Sequence, residues 1–150
     1  MLQAAHSGEL AAYHAYQGHW ESLPSGKERA KVQEIQQDEL DHLKIVKKIL
    51  ASHGAKPSRT RDISFLICGL CLSFLCKWTG WLLPMRGVLL IEKIGVINYM
   101  EMTELAILTG AQQSAMVLLA MAAKEAEHQR YFEELINERE NNQSRQHIRY

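Results

Sequence analysis

Apolar side chains recur at steps of three and four residues in four separate segments of this chain. Such spacing places them on one face of a helix, and it predicts helices over about 2–21, 27–53, 86–108 and 112–140. The segments are separated by turn-forming residues: SLPSG at 22–26, Gly54 with Pro57, and Thr109-Gly110. The first two helices and the last two therefore each form a predicted hairpin.

The connection between the two hairpins is long and carries an apolar run, ISFLICGLCLSFLC, at 63–76. We place this crossover segment at about 61–85 and a polar tail, which we expect to fray, at about 141–150. The length of 150 residues fits one domain over 1–150. The predicted fold class is therefore all-α, a four-helix bundle with one long connection that carries an extra apolar helix.

Each predicted core face has a glutamate near its middle, where an apolar residue is expected, and two of the faces add a histidine three residues later. These six residues are Glu9, Glu39, His42, Glu92, Glu125 and His128. Antiparallel helices bring two residues to one level when both are equally far from the turn that joins the helices. The midpoint of Glu9 and Glu39 is Pro24, and that of Glu92 and Glu125 lies beside Thr109. Glu101 and Glu104 fail this test and are not expected to be ligands.

Four carboxylates converging in one core would repel one another, and each costs several kcal/mol to bury unless it is paired or bound to a metal. Four carboxylates and two imidazoles are the ligands that two iron or manganese ions bind in the core of a helical bundle. The sequence therefore predicts a site for two iron ions, with manganese as the alternative, held by these six side chains.

The remaining chemistry-bearing residues are expected to be structural. His14, His19, His53 and His147 are expected in solvent, and His6 either supports the metal ligands or is a satisfied core histidine. The three cysteines, Cys68, Cys71 and Cys76, lie in one apolar stretch. They are expected to be small buried side chains in a reducing compartment rather than a disulfide framework.

The charge balance and the absence of certain motifs argue against several classes of function. Lysine plus arginine, 17, equals aspartate plus glutamate, 17, so no basic excess favours nucleic acid. No glycine-rich nucleotide-binding motif is seen, so a redox reaction would need an external electron donor. No basic-then-apolar secretory signal is expected at the N-terminus.

The crossover run is too short to span a bilayer as a helix, since spanning needs about 20 apolar residues. A segment lying at the membrane interface fits better, with Trp78 and Trp81 at headgroup depth and Lys77 or Arg86 reaching outward. A buried helix that caps the bundle, or a dimer contact, is the alternative.

Four stretches resemble the ligand helices of the demethoxyubiquinone hydroxylases, which are ferritin-like di-iron carboxylate proteins of ubiquinone biosynthesis. They are HSGELAAYHAYQG at 6–18, DELDHLK at 38–44, IEKIGVINYM at 91–100 and KEAEHQ at 124–129. The resemblance runs over roughly 5–135 and assigns Glu9, Glu39, His42, Glu92, Glu125 and His128 as metal ligands. It departs at Asn98, where the family often has histidine, and at Lys93, where an acidic residue is frequent.

This resemblance implies a ferritin-like bundle that uses O2 to hydroxylate the ring of a polyprenyl demethoxyquinone. Tyr99 would be an electron or proton relay. The protein would be peripheral on the cytoplasmic face of a bacterial inner membrane, or on the matrix side of the mitochondrial inner membrane in a eukaryote. A homodimer or a quinone-biosynthesis complex is compatible with this placement.

Two other functions are compatible with the same sequence. A ferritin-like ferroxidase, iron-handling protein or peroxidase needs the six ligands but no lipid-facing segment. A membrane-associated helical scaffold would need neither metal nor catalysis. Metal analysis separates the scaffold from the other two, and quinone turnover separates the hydroxylase from the ferroxidase.

Overall fold

The computed structural model describes residues 1–24, 26–79 and 82–147, with side chains except at 82 and 142–147. This part of the chain is helical, without a strand. Its helices are α1 (Leu2–Ser22), α2 (Lys27–Ser52), α3 (Arg59–Cys76), α4 (Leu82–Leu108) and α5 (Gln112–His147). The all-α prediction is confirmed, and the arrangement is compatible with a helical bundle.

Helices α1, α2, α5 and α4 surround the core, and α3 packs outside them. Helix α1 packs against α2 and α3, α4 packs against α5, and smaller contacts join α1 to α4 and α2 to α5. Polar contacts show that α1 and α3 run parallel, because Gln3 meets Lys56, Ser7 meets Asp62 and Glu21 meets Lys77 in the same order along both segments.

Left-handed glycines end α2 and α4. Gly54 has φ of 68° and Gly110 has φ of 76°, values that a glycine adopts without steric cost. After each glycine, a backbone N–H bonds back into the last helical turn: Ala55 to the Leu50 carbonyl at 2.9 Å, and Ala111 to the Ala106 carbonyl at 2.8 Å. The predicted stops at these positions are therefore confirmed.

The close contact between α1 and α3 depends on small residues. A Cβ added to Gly69 would lie 2.4 Å from the Ala11 carbonyl oxygen, and one added to Gly18 would lie 2.2 Å from that of Ser73. Asp62 of α3 also accepts a hydrogen bond from the Ser7 hydroxyl at 2.6 Å and lies 3.1 Å from His6 Nδ1. The crossover helix is thus held to the bundle by backbone proximity and a polar cluster.

Two apolar clusters fill the core, one on each side of a polar layer. One contains Val46, Met102 and Leu118, and the other contains Val32, Met85 and Phe132. Along α2, α4 and α5 the predicted ligand residues fall between the members of these two clusters. The polar layer is therefore enclosed by packed apolar side chains above and below.

Several predicted boundaries and environments are wrong. Helix α4 begins at Leu82, so the crossover ends before 85. Pro84 is tolerated there because the first turn of a helix needs no N–H donor. Helix α5 continues through His147 instead of ending near 140, and the glutamines and arginine at 143–146 favour helix. Residues 148–150 lie outside the described residues. Cys68 and Cys71 are exposed rather than buried; Cys76 is buried, and all three are free.

The outer face of α3 is apolar and exposed. Its exposed residues include Ile63, Ile67, Leu70 and Phe74, with Trp78 just after the helix at 75% exposure. In the described part of the chain, no helix has the combination of length and apolar character needed to cross a bilayer. Lys77 pairs with Glu21 and Arg86 with Glu140, and Trp81 lies outside the described residues.

Candidate metal centre

The structure brings all six predicted ligand side chains together in the polar layer of the core. Helix α1 contributes Glu9, α4 contributes Glu92, and the Glu-x-x-His pairs come from α2 and α5. All six are between 1% and 7% exposed. A three-residue step places glutamate and histidine on one face of a helix, so both members of each pair point inward.

The six residues form two overlapping groups that could each hold a metal ion. Within each group the ligand atoms all lie within 4.8 Å of one another. The first group is Glu9, Glu39, His42 and Glu125, and the second is Glu39, Glu92, Glu125 and His128. Because Glu39 and Glu125 belong to both, the arrangement fits two neighbouring cations with these carboxylates between them and one terminal glutamate and one histidine on each.

Unsatisfied buried atoms show that the side chains fit such a pair of cations. Five polar atoms of this set have no hydrogen-bond partner within the described part of the chain: Glu39 Oε1, His42 Nδ1, Glu92 Oε2, Glu125 Oε1 and His128 Nδ1. Orphaned buried polar groups are rare in folded proteins because each costs about 1–3 kcal/mol. Carboxylate oxygens and imidazole nitrogens aimed at shared points are the donors that iron and manganese accept.

The imidazoles approach the carboxylates without the geometry of hydrogen bonds. His42 Nδ1 lies 2.8 Å from Glu125 Oε1 and 3.8 Å from Glu9 Oε2. His128 Nδ1 lies 3.4 Å from Glu39 Oε1 and 3.5 Å from Glu92 Oε2. Each nitrogen therefore faces a space bounded by carboxylates, as a metal ligand would.

A glycine makes room for one carboxylate. Gly95 occupies the position in α4 that corresponds to the histidines of α2 and α5, three residues after the glutamate. A Cβ at this position would lie 2.8 Å from Glu125 Oε2. The absence of a side chain at Gly95 thus allows the carboxylate of Glu125 to occupy the centre.

Two buried tyrosines connect α1 and α4 across the centre. The Tyr99 hydroxyl donates to Glu9 Oε1, and the Tyr16 hydroxyl donates to Glu92 Oε1. Each tyrosine is seven residues after the glutamate on its own helix, which shows that α1 and α4 run antiparallel. Each terminal carboxylate therefore has one oxygen held by a phenol, and Oε2 remains for a cation.

A further carboxylate contacts the outer side of one histidine. Asp38 Oδ2 lies 3.0 Å from His128 Nε2, on the side of the ring opposite the centre. Such a contact fixes the orientation and tautomer of a ligating imidazole.

Burial and mutual repulsion change the acidity of the cluster. Burial, followed by repulsion from Glu39, raises the pKa of Glu9 well above its usual range. The same two causes raise the pKa of Glu125 well above its usual range. Burial alone would lower the pKa of His128, but contact with Glu39 and Glu92 raises it to about 10. Without a cation, Glu9 and Glu125 therefore hold protons more readily than exposed glutamates do, and metal binding there must release them.

Other histidines differ from the prediction in one respect. His19 is buried rather than solvated, and burial lowers its pKa to about 4. The buried stripe of α1 continues from Tyr16 by a three-residue step to His19. His14 is half-buried, His53 is exposed, and the side chain of His147 lies outside the described residues. His6 is satisfied by Asp62.

The other sequence assignments near the centre can also be located. Glu101 and Glu104 are exposed, away from the cluster. Lys93 forms an ion pair with Glu133 at 3.0 Å on the surface, and Asn98 is exposed. Neither departure from the family pattern therefore touches the six predicted ligands.

Sequence reasoning missed the contacts of Tyr16 and Asp38. The tyrosines could have been found from the shared spacing, since both α1 and α4 contain a glutamate followed seven residues later by tyrosine. For Asp38 the sequence gives no comparable signal, because its partner is on a helix 90 residues away along the chain.

A family model confirms the resemblance drawn from the ligand helices. The model of the ubiquinone biosynthesis protein COQ7 matches residues 1–93, which is more than half of the chain. The match includes Glu9, Glu39, His42 and Glu92, while Glu125 and His128 follow it. Searches of curated proteins and of solved structures found no match. The chain therefore belongs to the family of the ubiquinone biosynthesis protein COQ7, which implies a role in making ubiquinone.

Proposed function

We propose that this protein is a ferritin-like di-iron monooxygenase that hydroxylates the ring of a demethoxyquinone. The observation that carries the proposal is the pair of overlapping ligand groups that share Glu39 and Glu125. In the net reaction one atom of O2 enters a ring C–H bond, and the other leaves as water. An external donor supplies two electrons, and two protons are consumed. Family membership supports the quinone as substrate.

Two iron ions, when bound, would supply the two-electron chemistry that activates O2. Glu39 and Glu125 would hold both ions, with Glu9 and His42 completing one position and Glu92 and His128 the other. The enclosing apolar clusters reduce the access of water to the centre, which strengthens electrostatic interactions there. The Tyr99 hydroxyl is positioned to hold or move a proton at Glu9 Oε1.

The proposed docking surface for the polyprenyl substrate is the exposed apolar face of α3, lying on a bilayer. The support is its chemistry: Ile67, Leu70 and Phe74 are about half exposed or more, and Trp78 suits headgroup depth. The proposed location is the cytoplasmic face of a bacterial inner membrane or the matrix face of the mitochondrial inner membrane. A homodimer or a complex of quinone-biosynthesis proteins is compatible with this surface.

The test is single-turnover hydroxylation. The protein is loaded anaerobically with ferrous iron and mixed with ¹⁸O2, a chemical reductant and a demethoxyquinone in lipid vesicles; the quinone is then analysed by mass. We expect one ¹⁸O atom in the ring, and no incorporation in Glu39→Gln. The matched control is Glu101→Gln, an exposed α4 glutamate, which should retain turnover. Iron oxidation without ring hydroxylation would contradict the proposal and favour a ferroxidase.

A further inference from the structure

We propose that the two cation positions are unequal: the ion beside His128 is anchored, and the ion beside His42 binds more weakly and exchanges. This inference rests on the proposed function only in assuming two cations in the centre. It adds the order in which they bind and leave.

The two positions are built from equivalent pieces of chain. On α2 the sequence is Asp38-Glu39-Leu40-Asp41-His42, and on α5 it is Lys124-Glu125-Ala126-Glu127-His128. In both, the glutamate is shared between the two ligand groups, and the histidine turns Nδ1 toward the centre. The residues immediately before the two glutamates are structurally equivalent but opposite in charge.

Asp38 anchors the His128 position. Its Oδ2 accepts from His128 Nε2 at 3.0 Å, across the interface between α2 and α5. This hydrogen bond would fix His128 with the Nδ1 lone pair aimed at the cation position. It would also make Nδ1 a stronger electron-pair donor to a metal ion. Loss of such an outer contact typically weakens metal binding by about 10–100-fold.

Lys124 cannot do the same for His42. It stands at the position equivalent to Asp38, but an ammonium donates hydrogen bonds and accepts none. Its charge also opposes positive charge at His42. Among the described residues, His42 Nε2 has no hydrogen bond, and Lys124 Nζ instead lies 3.2 Å from Glu127 and 3.9 Å from Asp38. The imidazole of His42 therefore lacks an outer acceptor.

A cleft gives the His42 position an approach to solvent. An open cleft of about 470 Å³ lies between α2 and α5, and its lining residues include His42, Asp38, Asp41 and Lys124. His128 does not line it. The side chain of His42 is 6% exposed and that of His128 is 1% exposed. An ion at His42 is thus both less firmly held and nearer to water.

The test is a titration of the metal-free protein with Co²⁺, followed by calorimetry and by the visible absorption of the bound ion. Wild type should bind two ions in separate steps, with dissociation constants at least about tenfold apart. Asp38→Asn should weaken the tighter step by about 10–100-fold and leave the weaker one unchanged. Lys124→Asp should strengthen binding in the weaker step and bring the two dissociation constants closer together.

The matched control is Asp41→Asn, which removes the same charge from the same cleft. Asp41 is exposed and contacts Lys44 at 2.7 Å rather than His128, so the tighter step should stay as in wild type. Thermal melting of each variant confirms folding. Two equal steps in wild type, a loss confined to the weaker step in Asp38→Asn, or equal effects of Asp38→Asn and Asp41→Asn would overturn the inference. No Co²⁺ uptake at all would instead overturn the metal centre and the proposed function with it.

Discussion

Helix α1 is buried on two faces, and the two faces make different kinds of contact. One face, with Glu9, Tyr16 and His19, carries polar groups into the core, and these must be satisfied by partners or by cations. The other face, with Ala11 and Gly18, lies so close to α3 that backbone nearly meets backbone. We call the first the chemical face, because its polar groups need partners, and the second the shape-determined face, because it needs small residues. A glutamate within an apolar stripe is therefore conspicuous in a sequence, whereas a small residue in a tight helix contact is not.

The largest effect should come from Glu9→Gln on the chemical face. Removing a carboxylate ligand should weaken Co²⁺ binding by about a thousandfold, or about 4 kcal/mol, at the position it serves. The metal-free protein should become more stable above pH 4.5. The raised pKa of Glu9 makes folding take up a proton there, and glutamine needs none. Titration and thermal melting measure the two effects.

The matched control for that experiment is Glu21→Gln on the shape-determined face. Glu21 forms a surface ion pair with Lys77 at 2.8 Å and should leave metal affinity unchanged. If both variants lost metal equally, net charge rather than ligation would explain the effect.

His19 should make stability depend on pH. Its pKa is about 4 in the folded protein and about 6.5 unfolded, so between these values the unfolded chain binds the extra proton. The contribution of His19 to the free energy of unfolding is therefore constant above pH 6.5. It decreases by about 3 kcal/mol as the pH falls toward 4. His19→Phe should remove this part of the slope in denaturant unfolding, while His53→Gln, at an exposed site, should keep it.

Gly69→Ala tests the shape-determined contact. The new Cβ would lie 2.4 Å from the Ala11 carbonyl oxygen, so α3 must shift, and we expect a loss of about 2 kcal/mol in the free energy of unfolding. Gly87→Ala is the control. Apart from its chain neighbours and the backbone of its own helix, no atom of the described residues lies within 4 Å of a Cβ there, and alanine should stabilise the helix by up to about 1 kcal/mol. The same sign for both substitutions would contradict the close approach of α1 and α3.

The smallest effect should come from Tyr16→Phe, which removes one hydrogen bond to Glu92 and leaves the ring in place. We expect metal binding to weaken by about tenfold, since a hydrogen bond to a charged group contributes about 1.5 kcal/mol. Tyr13→Phe, whose ring packs edge-on against His14, should have no effect on metal affinity. An unchanged titration of Tyr16→Phe would show that Glu92 is positioned by packing alone.

Much of the centre could be predicted from the sequence because helical periodicity converts residue spacing into a common face. Each ligand glutamate interrupts an apolar stripe, and equal distances from Pro24 and Thr109 put the partners at one level. The same reasoning failed for His19, since steps of three and of four residues both continue a stripe. It also failed for Cys68 and Cys71, because an apolar run does not reveal which of its sides lacks a partner helix.

The crossover helix also determines chain direction. Eighteen residues of α helix extend about 27 Å, enough to carry the chain from one end of the bundle to the other. Because α3 runs alongside α1 in the same direction, α4 must start at the far end and travel back. Only that reversal brings the tyrosine of each helix opposite the other helix's glutamate. A crossover shortened by several turns could not reach the far end of the bundle, and α4 would then not run antiparallel to α1. The length of α3 therefore determines whether each tyrosine can contact the glutamate of the other helix.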